Sequence, residues 1–258
     1  MKHLRFLGTG TSQGIPVIGC ACPVCRSTDP QNHRRRTSAL LRTQGQTILF
    51  DAGPDFRIQA LEARIEHLDA VLLTHAHFDH VGGLDDLRPL TEKRGAMPIY
   101  GYPSTLQEVR RFFHYAFIES SSESTRPQLE LIPVSGPFRV GEVEIVPFDI
   151  RHGNWTITGY RTGNFAYVTD ASAIPPASWE HLQGLEVLVL NALRFIPHPT
   201  HFSLDEALAV IDRLAPRRTF LVHLAHAFDH ATVNARLPAG VALAYDGLEV
   251  VIGEHEPQ

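Results

Sequence analysis

Cysteine is scarce in this chain: there are three in 258 residues, and Cys20, Cys22 and Cys25 fall within one short stretch. An odd number packed this closely makes a poor disulfide framework. Long apolar runs are missing too. None approaches the ~20 residues of a membrane span, and Met1-Lys2-His3-Leu4-Arg5-Phe6 lacks the apolar core of a secretory signal. These absences set the expectation of a cytoplasmic protein. Charge of one sign is not in large excess. A net charge of -5, with His neutral, gives no general pull toward nucleic acid or an anionic membrane. The 43% hydrophobic and 20% charged content is ordinary for a globular protein. The length suits one domain with a sizeable core.

Histidine, by contrast, is abundant at fifteen residues. Thr74-His75-Ala76-His77-Phe78-Asp79-His80 places four metal-ligand types in six positions, directly after the apolar run 68–73. On a helix, His75 and His77 would point about 200° apart and could not share an ion. At a strand end running into a loop they face one side and converge, and Asp79-His80 can turn to a second ion beside the first. A nitrogen-rich set with one carboxylate suits zinc or a similar divalent metal. The cysteines fit metal chemistry as well: C-x-C-x-x-C offers three thiolates to one tetrahedral ion. The fourth ligand must come from elsewhere, with His226 the candidate and His33, closer in sequence, the alternative.

Apolar patterning predicts strands at 4–7, 38–41, 47–50, 70–73, 98–100, 143–148, 156–161, 165–169, 187–190 and 219–222, with helices at 56–63, 105–117, Leu204–Leu214 and 231–235. The helix at Leu204 is the most clearly signalled. Ser203 with Glu206 forms a capping box, Leu204, Ala207, Leu208 and Ile211 make an apolar stripe, and Pro216 follows. Most strands run into a polar residue: Asp51, His75, His152, Asp170, Asn191 and His223. In layered α/β proteins, sites are built from such strand-end loops. The stretch 88–142 is poor in ligands. It carries Phe112, Phe113, Tyr115 and Phe117 before a serine-rich loop at 120–124, which reads as core plus connector or as a lid or subunit contact.

Two ions about 3.5–4 Å apart need roughly seven ligands, one of them bridging. The motif at 74–80 supplies four, and His152, Asp170 and His223 complete the number. In this order, together with Phe50-Asp51-Ala52-Gly53, these residues resemble the metallo-β-lactamase superfamily of hydrolases. The resemblance implies a four-layer αβ/βα sandwich. It further implies one ion on His75, His77 and His152, another on Asp79, His80 and His223, a bridging Asp170, and Asp51 orienting the histidine loop. The segment 8–16, the cysteine cluster, His223-Leu224-Ala225-His226-Ala227-Phe228-Asp229 and Tyr245-Asp246-Gly247-Leu248-Glu249 are similar to the branch that hydrolyses phosphoribosyl cyclic phosphates in bacterial phosphonate breakdown. That resemblance covers nearly the whole chain and is weakest across 88–142. It implies a structural zinc on Cys20, Cys22, Cys25 and His226, and homodimers are common among such proteins.

The expected chemistry is hydrolysis of a small, cyclic phosphodiester. Water held between two divalent ions, zinc or manganese, loses a proton near neutral pH and attacks phosphorus. His201, in His198-Pro199-Thr200-His201, is the candidate proton donor to the leaving alkoxide, with Asp79 counted in the catalytic set. Arg194 is the candidate partner of a non-reacting phosphate oxygen. A thioester or lactone hydrolase and a tRNA-processing nuclease share the same ligand set. The nuclease would need a basic arm, and His33-Arg34-Arg35-Arg36 is a short one.

Overall fold

The computed structural model describes residues 1–118 and 125–253, so the serine-rich stretch 120–124 lies outside the described residues. Strands β1 (Lys2–Gly8), β2 (Ser38–Thr43), β3 (Gln46–Phe50), β4 (Ala70–Leu72), β5 (Met97–Gly101) and β6 (Leu129–Pro133) build a first sheet in that order. A second holds β7 (Phe138–Val140), β8 (Val143–His152), β9 (Trp155–Thr162), β10 (Phe165–Tyr167), β11 (Val187–Asn191), β12 (Arg218–Val222) and β13 (Val241–Leu243). The last strand, β14 (Glu249–Ile252), returns to pair antiparallel with β1.

Strand periodicity sorts the apolar residues into layers. Ile48 and Phe50, Ala70 and Leu72, and Val187 and Val189 point between the sheets, where Phe50 stacks on Tyr167 at 4.6 Å. Their neighbours Leu49, Val71, Leu188 and Leu190 point outward. Both faces of each sheet are therefore buried, which is why these strands read as nearly continuous apolar runs. Helices α1 (Phe56–Glu62), α2 (Phe78–Val81), α3 (Arg88–Arg94) and α4 (Pro103–Phe112) cover the outside of the first sheet. The second sheet is covered by α5 (Leu204–Leu214) and α6 (His230–Asn234). This is the expected four-layer αβ/βα sandwich. The capping box of α5 is present, with Ser203 Oγ accepting from the Glu206 N–H and Glu206 Oε2 accepting from the Ser203 N–H at 2.8 Å.

Several boundaries differ from the sequence reading. β8 continues to His152, because Phe148, Ile150 and His152 stay buried in alternation with the exposed Asp149 and Arg151. The helix expected at 105–117 starts at Pro103 and ends at Phe112, since Phe113 leaves helical geometry and a single tight turn follows. β6, β7, β13 and β14 are short and of mixed polarity, so no run announced them. The stretch 88–142 contributes β5 and β6 to the first sheet and β7 to the second.

Direction places the site. β3 and β4 run parallel, as do β10, β11 and β12. β8 is antiparallel to β9 and β9 to β10, so β8 shares the direction of β10. Asp51, His75, His152, Asp170 and His223 therefore all leave their strands at C-terminal ends.

Candidate metal centres

Around Asp170 the side chains converge. Its Oδ1 lies 2.9 Å from His201 Nε2 and 3.3 Å from His223 Nε2, while its Oδ2 lies 3.2 Å from His80 Nε2. His80 Nε2 is also 3.2 Å from Asp79 Oδ2. His75 Nε2 is 2.9 Å from His77 Nδ1, and His152 offers its nitrogen to the same pair. Donor atoms of His75, His77 and His152 thus form one group, those of Asp79, His80 and His223 another, and Asp170 faces His75 and His80 together.

The other ring nitrogens are engaged, which fixes which nitrogen is bare. His80 Nδ1 donates to Asp51 Oδ2 at 2.8 Å. Thr74 donates its hydroxyl to the same oxygen at 2.8 Å and faces His75 Nδ1 at 3.0 Å. Asp51 thereby holds His80 directly and His75 through Thr74. His152 Nδ1 donates to the Thr200 carbonyl at 2.8 Å. His223 Nδ1 lies 3.4 Å from Thr37 Oγ1, itself anchored on the Gly10 carbonyl. The inward nitrogen of His80 is fully buried and has no hydrogen-bond partner, although two carboxylates stand 3.2 Å away. A buried donor atom without a partner is costly unless a cation occupies the point it faces.

Electrostatics agree with a cation. Burial opposes charge on His80, but Asp79, Asp170 and Asp51 overcome it and hold the imidazole well above its usual range. The same balance, against burial, holds Asp170 well below the carboxylate range through His223 and His80, and Asp79 below it through His80. Burial, with neighbouring histidines adding to it, keeps His75 and His77 low, and burial takes His223 down to about 4. Neutral His75, His77 and His223 and ionised Asp79 and Asp170 are ligand forms a divalent ion needs, and the carboxylates that hold a proton on His80 attract a metal cation in its place. The residues present fit two ions.

The backbone is bent to this end. Asp51, Asp170 and His223 take φ of 58°, 57° and 56°, a left-handed conformation that side chains other than glycine adopt at a cost. Asn191 clamps the turn after Asp170, accepting from the Ala171 N–H at 2.6 Å and donating to its carbonyl at 3.0 Å. Gly53 permits close approach: a Cβ there would meet the Asp79 carbonyl oxygen at 2.0 Å.

The second group lies in the loop after β1. The sulfurs of Cys20, Cys22 and Cys25 stand 3.3, 3.5 and 3.4 Å from His226 Nδ1. His33, the alternative, turns away and bonds the Ser27 carbonyl at 2.8 Å. The Cys25 N–H lowers the Cys22 thiol to about 6, and burial raises Cys25 to about 11. Three sulfurs and one imidazole suit tetrahedral zinc.

Arg194 lies in the loop that carries His201 and donates to the Ile196 and Pro197 carbonyls. Sequence reasoning missed Arg34. Buried, it donates to Thr9 Oγ1 at 2.8 Å and to the Ala244 carbonyl, bracing a loop whose Thr9 carbonyl accepts from the Leu224 N–H beside His223. Arg35 pairs with Glu62 and Arg36 with Asp55, so the basic run is spent on internal contacts. Among the described residues no helix is long and apolar enough to cross a membrane.

Comparison with known proteins agrees with this geometry. A family model described as a beta-lactamase superfamily domain matches residues 46–224. A crystal structure of a diphosphatase from the PhnP family superposes with a TM-score of 0.91 at 40% identity, covering 96% of both chains. Zinc-bound PqqB from Methylobacterium extorquens shares the fold, at a TM-score of 0.76 and 20% identity over 97% of this chain and all of that one. An octanoyltransferase of Porphyromonas gingivalis is 42% identical over 96% of this chain but only 51% of its own length. A ribonuclease Z of a Bradyrhizobium strain is 34% identical over 62% of this chain and 49% of its own. The chain thus spans about half the length of these two curated relatives. With a matching domain over most of its length and candidate ligand groups at the strand ends that the fold provides, the chain belongs to the β-lactamase superfamily.

Proposed function

We propose that the protein hydrolyses a small, cyclic phosphodiester in the cytoplasm, at a centre for two divalent ions of zinc or manganese, with a structural zinc in the cysteine loop. The observation that carries this reading is the convergence of six donor residues on Asp170, seven with Asp170 itself, with His201 grouped beside His152 and Asp170. The close likeness to a PhnP-family diphosphatase supports phosphorus–oxygen chemistry. Bound there, two divalent ions supply a water of lowered pKa as nucleophile and neutralise phosphate oxygens. His75, His77 and His152 are assigned to one ion, Asp79, His80 and His223 to the other, and Asp170 has an oxygen for each side. His201 holds the proton for the leaving alkoxide: Nε2 sits on Asp170 Oδ1, and Nδ1 is 2.8 Å from Thr200 Oγ1. Such an acid contributes about 10²–10⁴-fold. Arg194 is assigned to a non-reacting phosphate oxygen, for which it must release its two loop carbonyls.

A second reading, an acyl hydrolase acting on a thioester or lactone, is favoured by the octanoyltransferase relative. A nuclease reading loses support because Arg34, Arg35 and Arg36 are all engaged within the chain. The deciding experiment offers metal-loaded protein bis-p-nitrophenyl phosphate, a ribosyl cyclic phosphate, a lactone, a thioester and a precursor tRNA. Fastest turnover of the cyclic phosphate is expected. Preferential cleavage of the thioester or lactone would replace the phosphodiesterase reading with the acyl one. Protein prepared without chelator should carry close to three metal equivalents.

A further inference from the structure

A groove of about 710 Å³ opens beside His75 and His77. Its floor is the metal-ligand loop, one wall is the start of β9, and the other is α4. Three rings stand in it: Trp155, 54% exposed, Phe78, 64%, and Phe112, 42%. Among the described residues four aromatic rings are exposed, and all but Phe195 stand around this one opening, a clustering that packing does not explain. Trp155 lies 4.8 Å from the His77 ring, which makes the groove continuous with the proposed metal centre.

The α4 wall is polar and regular. Leu106 and Val109 turn inward, while Ser104, Gln107, Glu108 and Arg111 follow helical spacing along the open side. Glu108 holds Arg111 at 2.9 Å, and the guanidinium lies 5.5 Å from the Phe112 ring centre. Exposed ring faces opposed by a row of hydrogen-bonding side chains suit a flat heteroaromatic group with polar edges. An acyl chain would instead want a closed aliphatic tunnel, and this groove is open and lined by rings.

We infer that the groove binds a nucleobase, so that the substrate of the neighbouring centre is a nucleoside-linked phosphate ester. This rests on the phosphodiesterase reading for the reaction, but not for the binding. The base stacks on Trp155 with Phe78 and Phe112 around it, and its edge meets Gln107 and Glu108. The inference accounts for features the hydrolytic centre does not use: the three exposed rings and the polar stripe of α4.

Two measurements test it. The chain has two tryptophans, so Trp179→Phe leaves Trp155 as the only one. Titrating that variant, metals in place, with adenosine should quench its fluorescence saturably, whereas ribose should not. Adding Phe112→Ala should weaken the adenosine affinity about tenfold. Turnover is then compared between a cyclic adenosine phosphate and the matching cyclic phosphate of methyl riboside. The base should raise kcat/KM about tenfold, mainly through KM, and Trp155→Ala and Phe112→Ala should each erase most of that preference. No saturable quenching together with equal turnover of the two cyclic phosphates overturns the nucleobase site and leaves the phosphodiesterase standing. Quenching without turnover of either ester upholds the groove and removes the reaction. Quenching that Phe112→Ala leaves unchanged also overturns the site.

Discussion

The two metal-ligand groups are built on opposite plans. Around Asp170 the ligands leave the ends of buried strands, and hydrogen bonds with Asp51, Thr74, Thr37 and the Thr200 carbonyl hold their outer atoms. Around Cys22 they sit on a loop whose apolar support is small, namely Ile15, Val24 and Cys25 with Val17 against them. On the proposed function, the first group is held in place by the sandwich and uses metal for chemistry. The second lacks such a frame, so the proposed zinc there would act as a staple between the loop after β1 and the segment after β12. The difference teaches that a cluster of metal-ligand side chains can serve reaction or folding, depending on what fixes the ligands when no ion does.

Substitutions can separate the two roles. The largest effect should come from Asp170→Asn, which tolerates the left-handed backbone but loses the charge shared between the two sides. Turnover of phosphodiesters should fall by at least ~10³-fold, with the melting temperature nearly kept. Near-normal steady-state rates in a metal-replete variant would remove Asp170 from the centre. His201→Ala should cost about 10²-fold on an alkyl phosphodiester and far less on a nitrophenyl ester, whose leaving group departs without a proton. Equal losses on the two esters would make His201 a positioning residue, and loss of metal would make it a ligand.

Cys22→Ala should do the reverse of Asp170→Asn. Elemental analysis should show about one zinc equivalent lost, and the melting temperature should drop by about 5 °C, corresponding to ~2 kcal/mol. Residual turnover should stay within a fewfold of the parent. Unchanged metal content and melting temperature would end the staple idea. The smallest effect is expected from Asp51→Asn. It keeps the shape but weakens the hold on His80 and, through Thr74, on His75, so metal affinity should fall about 10–100-fold. Competition with a chelator measures this, and affinity equal to the parent's would mean that the histidines are oriented by packing alone.

Much of this was legible in the chain itself. His75-Ala76-His77 could converge only from a strand end, and the structure puts them after β4. The apolar runs at 47–50, 70–73 and 187–190 are strands because both faces are covered, and the Ser203–Glu206 box starts α5 where the residues say it should. Other features were not legible. Arg34 looked like part of a solvated basic run, yet it is buried because Thr9, Ala244 and His230 meet it from three distant segments. The extension of β8 to His152 was hidden by the charged Asp149 and Arg151, which are exposed while Ile150 and His152 between them are buried.

By itself, the sequence determined what local rules govern: which residues can ligate a divalent ion, which spacing lets neighbours converge, and where apolar period and capping start strands and helices. Only the tertiary structure decided which distant groups meet. It put His226 on the cysteines and turned His33 to the Ser27 carbonyl. It gave both oxygens of Asp51 to Thr74, one of them shared with His80, and opened three rings beside His77. Those outcomes depend on how two sheets stack and which strand ends share an edge, and such contacts between residues far apart in the chain leave no periodic trace in it.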